Sequence, residues 1–221
     1  MKGKYTYRFK YEKNHGARYI SHLDFVRLMG RALRRATLPI SYSEGFNPHP
    51  VMTVAAPLSV GVTSGCEYMD IGFSEIVNCG EAVKRLNIAL PGGIVMLAAK
   101  LLTPGDVSFN KITSAKYTAV MEMNSGIPDT GVFLSLPSIE VLKKSKKAER
   151  QTDIKPDIRA LALTRSEGRF AELEIETSAG NTRNLKPELV IAAMEQYLPD
   201  FSVEFAQIHR LALLADGREL I

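Results

Sequence analysis

Four arginines in the first quarter of the chain follow one another at helical spacing: Arg27, Arg31, Arg34 and Arg35. Positions i, i+4, i+7 and i+8 lie on one side of an α-helix. A guanidinium stays charged at all ordinary pH values, and its planar set of donors fits the oxygens of a phosphate. The spacing therefore indicates a helix face that binds anions. An exposed face whose arginines pair with carboxylates elsewhere in the fold fits the same spacing.

The segment directly after this helix, residues 41–50 (SYSEGFNPHP), is predicted to be a loop that binds nucleic acid. Two prolines restrict its backbone, and Gly45 permits a positive φ angle. Flat rings stack on bases and small polar groups recognise base edges. The side chains of the loop suited to these contacts are Tyr42, Ser43, Phe46, Asn47 and His49. Alternatively, Phe46 closes the end of the core and His49 caps a backbone group.

Histidines and tyrosines supply weak candidates for acid–base catalysis. Metal-independent cleavage of RNA needs a base near the 2′-hydroxyl and an acid near the leaving oxygen. His22 or His15 with Tyr19 has the chemistry for this, as does His49 with Tyr42. The element order given below places the two pairs at opposite ends of one helix, so a single acid–base set is not predicted.

Metal and cofactor chemistry have no support in the sequence. The chain contains no HExxH, CxxC, GxxxxGK[ST] or GxGxxG motif, and Cys66 and Cys79 do not have the spacing of a metal site. We therefore expect no metal, no cofactor and a reducing, cytoplasmic setting. No apolar run reaches the ~18–20 residues that cross a membrane, and the first residues do not resemble a signal peptide.

Charge is unevenly distributed along the 221 residues, whose formal net charge is +4. Residues 1–50 hold ten Lys and Arg against three Asp and Glu, whereas residues 51–221 hold 18 against 21. The hydrophobic fraction of 45% is that of a globular protein, which excludes a wholly disordered or fibrous chain. The basic first quarter predicts an anionic partner.

The elements that position these residues follow from periodicity. Residues 4–12 alternate, which predicts a strand with one aromatic face and one wet, basic face that includes Arg8. Ser21 has the features of an N-cap for a helix over 21–36, with Leu23 among its inward residues. Further patterns predict strands and a helix in the order strand 51–56, strand 66–73, helix 78–90 and strand 94–103. This β-α-β-β-α-β order is that of a ferredoxin-like unit.

The second half shows the same predicted order. Two alternating segments on either side of Ser166-Glu167-Gly168 predict a hairpin. The predicted elements are a strand over 114–123, a helix over 136–144, strands over 157–165 and 169–177, a helix over 187–197 and a strand over 202–214. We therefore expect an α+β protein of two tandem ferredoxin-like (βαββαβ) units. The expected domains are residues 1–104, which carry the basic helix and the loop, and residues 105–221.

The motifs SHLD, RALRRA and GFNPHP, within residues 18–70, resemble a bacterial radical-SAM-linked protein family of unknown function. In that family the domain stands alone or follows a radical SAM protein with a cobalamin-binding-like region, and its genes often lie near that of ribonuclease G. The resemblance implies a radical SAM protein as partner and no established activity. The motif positions in this chain are Ser21, His22, Asp24, Arg27, Arg31, Arg34, Arg35, Gly45, Phe46, Asn47, Pro48 and His49.

These features favour an RNA-binding or substrate-docking accessory module that works with a radical SAM partner in RNA modification or metabolism. Its binding residues would be the four arginines and the loop. One alternative is a metal-independent endoribonuclease, because tandem ferredoxin-like units resemble the CRISPR repeat-processing endoribonucleases in fold. Another is a protein-docking module that does not bind RNA and uses Phe46 as its anchor.

Overall fold

A computed structural model describes residues 4–144 and 149–221, which form an α+β protein of two compact units. The first unit comprises residues up to Lys111 together with Arg218–Ile221, and the second comprises Ile112–Gly217. The first unit thus continues past residue 104, where the sequence analysis ended its first domain, and it includes the last residues of the chain.

The first unit contains the six elements that the sequence predicted, in the same order. They are β1 (Tyr5–Lys13), α1 (His22–Arg35), β2 (Met52–Val54), β3 (Thr63–Phe73), α2 (Cys79–Ala89) and β4 (Ile94–Leu101). The sheet order is β4-β1-β3-β2, and each neighbouring pair is antiparallel. Compared with the prediction, β2 is shorter and β3 begins three residues earlier.

Helix α1 begins where its cap was expected, because the Ser21 side chain accepts a hydrogen bond from the Asp24 amide. Its buried face packs Phe25, Met29 and Leu33 into a core shared with β1, β3 and α2. The prediction that Leu23 faces inward is wrong: its side chain is 66% exposed. Phe25, two residues further on, occupies the buried side of the first turn.

Strand β1 lacks the wet, basic face that its alternation predicted, because Arg8 is buried. Its Nε and Nη2 donate to the two carboxylate oxygens of Asp70 at 2.8 and 2.9 Å, and its Nη1 donates to the Val107 carbonyl at 2.7 Å. The guanidinium lies 4.2 Å from the ring centre of Phe109 and also contacts the Leu220 carbonyl. The segments that contain Val107, Phe109 and Leu220 therefore cover β1, which explains why residues beyond 104 belong to the first unit.

The second unit also contains a four-stranded sheet, with an additional hairpin. Its elements are β5 (Ile112–Ser125), α3 (Thr130–Ser135), β6 (Glu140–Lys144), β7 (Glu149–Asp153), β8 (Ile158–Glu167), β9 (Phe170–Ser178), α4 (Pro187–Tyr197) and β10 (Ser202–Ala215). The sheet order is β10-β5-β9-β8, while β6 and β7 pair only with each other. The β8–β9 hairpin and α4 lie where they were predicted.

The helix predicted over residues 136–144 is wrong. The helix of this region, α3, begins after the N-cap Asp129 and ends at Ser135. Leu136 is extended, with ψ of 139°, because the following Pro137 disfavours helical geometry in the residue before it. Residues 140–144 then form β6, so the second unit carries a hairpin that the predicted order omitted.

Candidate nucleic-acid interface

The four arginines of α1 are all exposed, as their spacing predicted, but they have different partners. Arg35 donates from Nη2 to the Ala89 carbonyl at 2.6 Å and so binds the last turn of α2. Arg27 donates to Asp24 at 3.2 Å, in a pair whose side chains are both more than half exposed. Arg31 and Arg34 are exposed, and within residues 4–144 and 149–221 neither pairs with a carboxylate. We call Arg27, Arg31 and Arg34 the arginine face.

The acidic residue beside this face is held in its charged form. Ser21 Oγ donates to Asp24 Oδ2 at 2.7 Å, and Arg27 donates to the other carboxylate oxygen. The hydrogen bond from Ser21 and the bond and charge of Arg27 lower the pKa of Asp24. Such an exposed pair contributes little to stability, so the Arg27 guanidinium stays accessible to a stronger anion.

The 41–50 loop is closed by hydrogen bonds between Ser43 and His49. The Ser43 amide donates to the His49 carbonyl at 2.8 Å, and the His49 amide donates to Ser43 Oγ at 3.1 Å. Ser43 Oγ also lies 2.9 Å from Nδ1 of the imidazole. These bonds fix the backbone on both sides of the loop tip and orient the His49 ring.

The tip of the loop projects an unprotected aromatic ring. Phe46 is fully exposed, so it does not close the core, and the preceding Gly45 adopts a φ of 117° that other residues rarely reach. Tyr42 is 42% exposed, and Asn47 is also exposed. A ring held in solvent by a closed loop is available to stack on a base.

The end of the loop lies against the middle of α1. A Cβ atom added to Gly30 would lie 3.8 Å from Cγ of Pro50, and Gly30 is buried. Arg27 and Arg34 stand three residues before and four residues after Gly30, so they flank this contact on the helix surface. The end of the loop thus lies against the stretch of α1 that carries Arg27 and Arg34.

Strand β3 directs the loop back onto the helix. The Ser41 amide donates to the Gly72 carbonyl, and the Gly72 amide donates to the Val51 carbonyl, each at 2.8 Å. Both ends of the loop are thereby fixed to one residue of the sheet. The role of Gly30 was not predicted from the sequence. The available signal is that a glycine inside a helix costs about 1 kcal/mol of stability relative to alanine, which indicates that another segment approaches the helix closely.

The catalytic candidates are not assembled into acid–base pairs. His22 borders a cavity of about 20 Å³, which holds no more than one water molecule. Tyr19 is exposed, and the Arg18 guanidinium lies 4.8 Å from the centre of the tyrosine ring. His15 contacts the same arginine. In the described residues, no hydrogen bond joins His22 to Tyr19 or His49 to Tyr42.

A larger cleft, of about 630 Å³, opens on the side of the first sheet that faces away from α1. Its floor includes Asp70, which is already bound to Arg8, and its rim includes Asp106. Hydrogen bonds from Lys100, from the Thr103 amide and from the Thr103 hydroxyl lower the pKa of Asp106 to about 2. The carboxylates of this cleft are thus occupied by partners within the fold.

Among the described residues, no group of three or more His, Cys, Asp or Glu side chains is arranged to hold a metal ion. Within the same residues, none of the helices has the length and apolar character needed to span a membrane. Cys66 and Cys79 are not joined in a disulfide.

Comparison with solved structures finds a similar fold within a larger protein. The crystal structure of a Cbf5–Nop10–Gar1 complex matches with a TM-score of 0.50 and 11% identity, covering 93% of this chain and 49% of the other. The archaeal box H/ACA sRNP Nop10–Cbf5 complex matches with a TM-score of 0.46 and 9% identity, covering 92% and 46%. The chain thus spans about half the length of each matched chain, and at these identities the likeness is one of fold.

The sequence matches no curated protein. A family model matches residues 6–187, which include the arginine face, the 41–50 loop and most of the second unit. The chain therefore belongs to DUF2344, a family of uncharacterized proteins conserved in bacteria.

Proposed function

We propose that the first unit binds single-stranded RNA with the arginine face and the 41–50 loop. The observation that carries this proposal is the close approach of Pro50 to Gly30, because it places the end of the loop against the stretch of α1 that carries Arg27 and Arg34. Guanidiniums bind phosphate oxygens, and an aromatic ring beside them stacks on a base of any sequence. RNA offers both groups at every nucleotide.

Single-stranded RNA fits this surface better than a duplex. The bases of a single strand are free to stack on exposed rings, whereas those of an A-form helix lie in a groove that side chains cannot enter. Phe46 protrudes fully from the surface, as a stacking platform requires. The Cbf5–Nop10–Gar1 structure is a likeness of fold, and the RNA proposal depends on the residues of α1 and the loop.

The biological role that we propose is that of an accessory module, not a catalyst, in bacterial RNA modification or metabolism. The resemblance of residues 18–70 to the radical-SAM-linked family supports a radical SAM protein as its partner. Two cysteines that are not joined in a disulfide, Cys66 and Cys79, are compatible with a reducing cytoplasm. We also propose that both units are ferredoxin-like domains, since each sheet has its strands in the order fourth, first, third, second when the β6–β7 hairpin is set aside.

Filter retention of a labelled single-stranded RNA by the purified full chain tests the proposal. We expect retention at ~20 mM salt and a steep loss toward ~200 mM, since binding releases condensed counterions. An absence of retention at low salt would overturn the proposal. A parallel incubation with EDTA examines the endoribonuclease alternative, for which the RNA would be cleaved; we expect it to remain at full length.

A further inference from the structure

The sheet of the second unit has one buried face and one exposed face. Residues of β5 and β9 alternate between them, and the buried side contains Ala119, Met121, Leu173 and Ile175. The other side remains open to solvent. We call it the open sheet face, and it comprises Lys116, Thr118, Val120, Glu122, Phe170, Glu172, Glu174, Glu176, Phe205 and Gln207.

Large apolar side chains lie together at one end of this face. Val120, Phe170 and Phe205 are each 45–54% exposed. Phe170 and Phe205 both stand opposite Glu122 in the strand register, one on each neighbouring strand. A groove of about 750 Å³ is lined by Val120 and Phe170 together with charged side chains of both signs: Arg165, Glu167, Arg169 and Glu172. Exposed apolar side chains that cluster in this way are typical of an interaction surface.

The rest of the open sheet face is acidic. Glu172, Glu174 and Glu176 follow one another on the same side of β9, about 7 Å apart. Glu176 lies 3.8 Å from Lys116, whereas in the part of the chain that the structure describes no basic side chain pairs with Glu172 or Glu174. Glu172 and Glu174 therefore give this side of β9 a negative charge that a cationic partner could neutralise.

Two arginines beside this face balance part of its charge. Arg169 lies 3.4 Å from Glu122, a member of the face, and 2.5 Å from Glu204. Arg165 stands opposite Glu172 in the strand register and lies 2.5 Å from Glu167. Neither arginine forms an ion pair with Glu172 or Glu174. An acidic surface with exposed rings repels RNA and attracts a cationic chain that also carries apolar side chains.

We propose that the open sheet face docks a basic segment of a partner protein, in which Lys or Arg side chains alternate with apolar ones. The apolar side chains contact Phe170, Phe205 and Val120, and the basic ones lie over Glu172 and Glu174. Two copies of this face are not expected to dock on each other, since two acidic surfaces repel. The proposal concerns only the second unit and is independent of RNA binding by the first.

Fluorescence anisotropy with a labelled peptide of four Val-Lys repeats tests the docking, with a peptide of four Val-Glu repeats as the matched control. We expect the full chain to bind the basic peptide and not the acidic one. Phe170→Ser and the double variant Glu172→Gln/Glu174→Gln each weaken binding about tenfold. All of these residues are wholly or partly exposed, so the variants fold, which circular dichroism verifies.

Equal affinity of the wild type and both variants for the basic peptide would overturn the proposal. Loss of RNA retention in Phe170→Ser would also overturn it, because the face would then be a nucleic-acid contact. So would a dimer that Phe170→Ser dissociates in sedimentation experiments. The double variant Arg27→Ala/Arg34→Ala, in the first unit, serves as the control for peptide binding. We expect it to bind the basic peptide as tightly as the wild type does, whether or not the chain binds RNA.

Discussion

Gly30 of α1 and Pro50 of the 41–50 loop lie close together: Cγ of the proline is 3.8 Å from the place where a Cβ of residue 30 would stand. The helix carries Arg27 and Arg34 on either side of residue 30. Residue 30 is therefore a position at which a larger side chain should move the end of the loop relative to the helix.

Substitution of Gly30 separates a steric effect from a helix-propensity effect. Gly30→Ala places its Cβ at an ordinary contact distance and should raise the free energy of unfolding by about 0.5–1 kcal/mol, with RNA affinity unchanged. Gly30→Leu reaches further, displaces Pro50 and should weaken RNA binding about tenfold. Urea denaturation and filter retention measure the two effects. Equal RNA affinity in both variants would show that the contact does not matter for binding.

Phe46 should matter for RNA and not for stability. Its ring is fully exposed, so Phe46→Ala should change the free energy of unfolding by less than about 0.5 kcal/mol. Loss of base stacking should weaken RNA binding by about 1–3 kcal/mol. Isothermal titration with a short single-stranded RNA provides the measurement. An unchanged affinity would leave Phe46 as a protein anchor, which is the alternative that the sequence analysis retained.

Arg8 should matter for stability and not for RNA binding, because its side chain is buried. Arg8→Met removes both bonds to Asp70 and leaves that carboxylate without its cation, at a cost of about 3–5 kcal/mol in unfolding free energy. Arg8→Met/Asp70→Asn should be less destabilised than Arg8→Met, because no unpaired charge remains. Urea denaturation of the three chains compares them. A double variant that is less stable than Arg8→Met would contradict this account of the pair.

The contrast between Arg8 and Arg27 shows how much of the molecule the sequence predicts. Alternation and capping were sufficient for all six elements of the first unit, since strand and helix periodicities depend on local spacing. Alternation also predicted that Arg8 faces away from the aromatic core. It could not show that residues 107–109 and Leu220 cover that side, because both segments are distant in the chain.

The candidate site was only partly predicted, because local spacing does not show which distant segments contact its side chains. Helical spacing correctly placed Arg27, Arg31 and Arg34 in solvent, yet Arg35 turned out to bind Ala89, whose position depends on how α2 packs. The helix predicted over 136–144 failed because its apolar residues suit a strand as well, and Pro137 separates them from α3. Packing between distant segments decided the case of Arg35, whereas the local effect of Pro137 decided where α3 ends.

Asp106 gives the first unit a defined response to acid. Lys100 and Thr103 lower the pKa of Asp106 to about 2, so its folded state loses the proton more readily than the unfolded chain does. The stabilisation is fully present above pH ~4 and is lost as the pH falls toward 2. The urea midpoint of the wild type should exceed that of Asp106→Asn at pH 7, and the difference should shrink between pH 4 and 2.5. A difference that does not change with pH would contradict this assignment.

The salt dependence of RNA retention by Arg27→Ala/Arg34→Ala, compared with that of Arg35→Ala, tests the central claim most directly. Each phosphate contact on a single strand contributes about 0.7 to the slope of log affinity against log salt. We expect the double variant to lose about 1.4 from the wild-type slope and its affinity to fall. Arg35 binds α2 instead, so Arg35→Ala should keep the wild-type slope. Equal slopes for the wild type and the double variant would contradict the account.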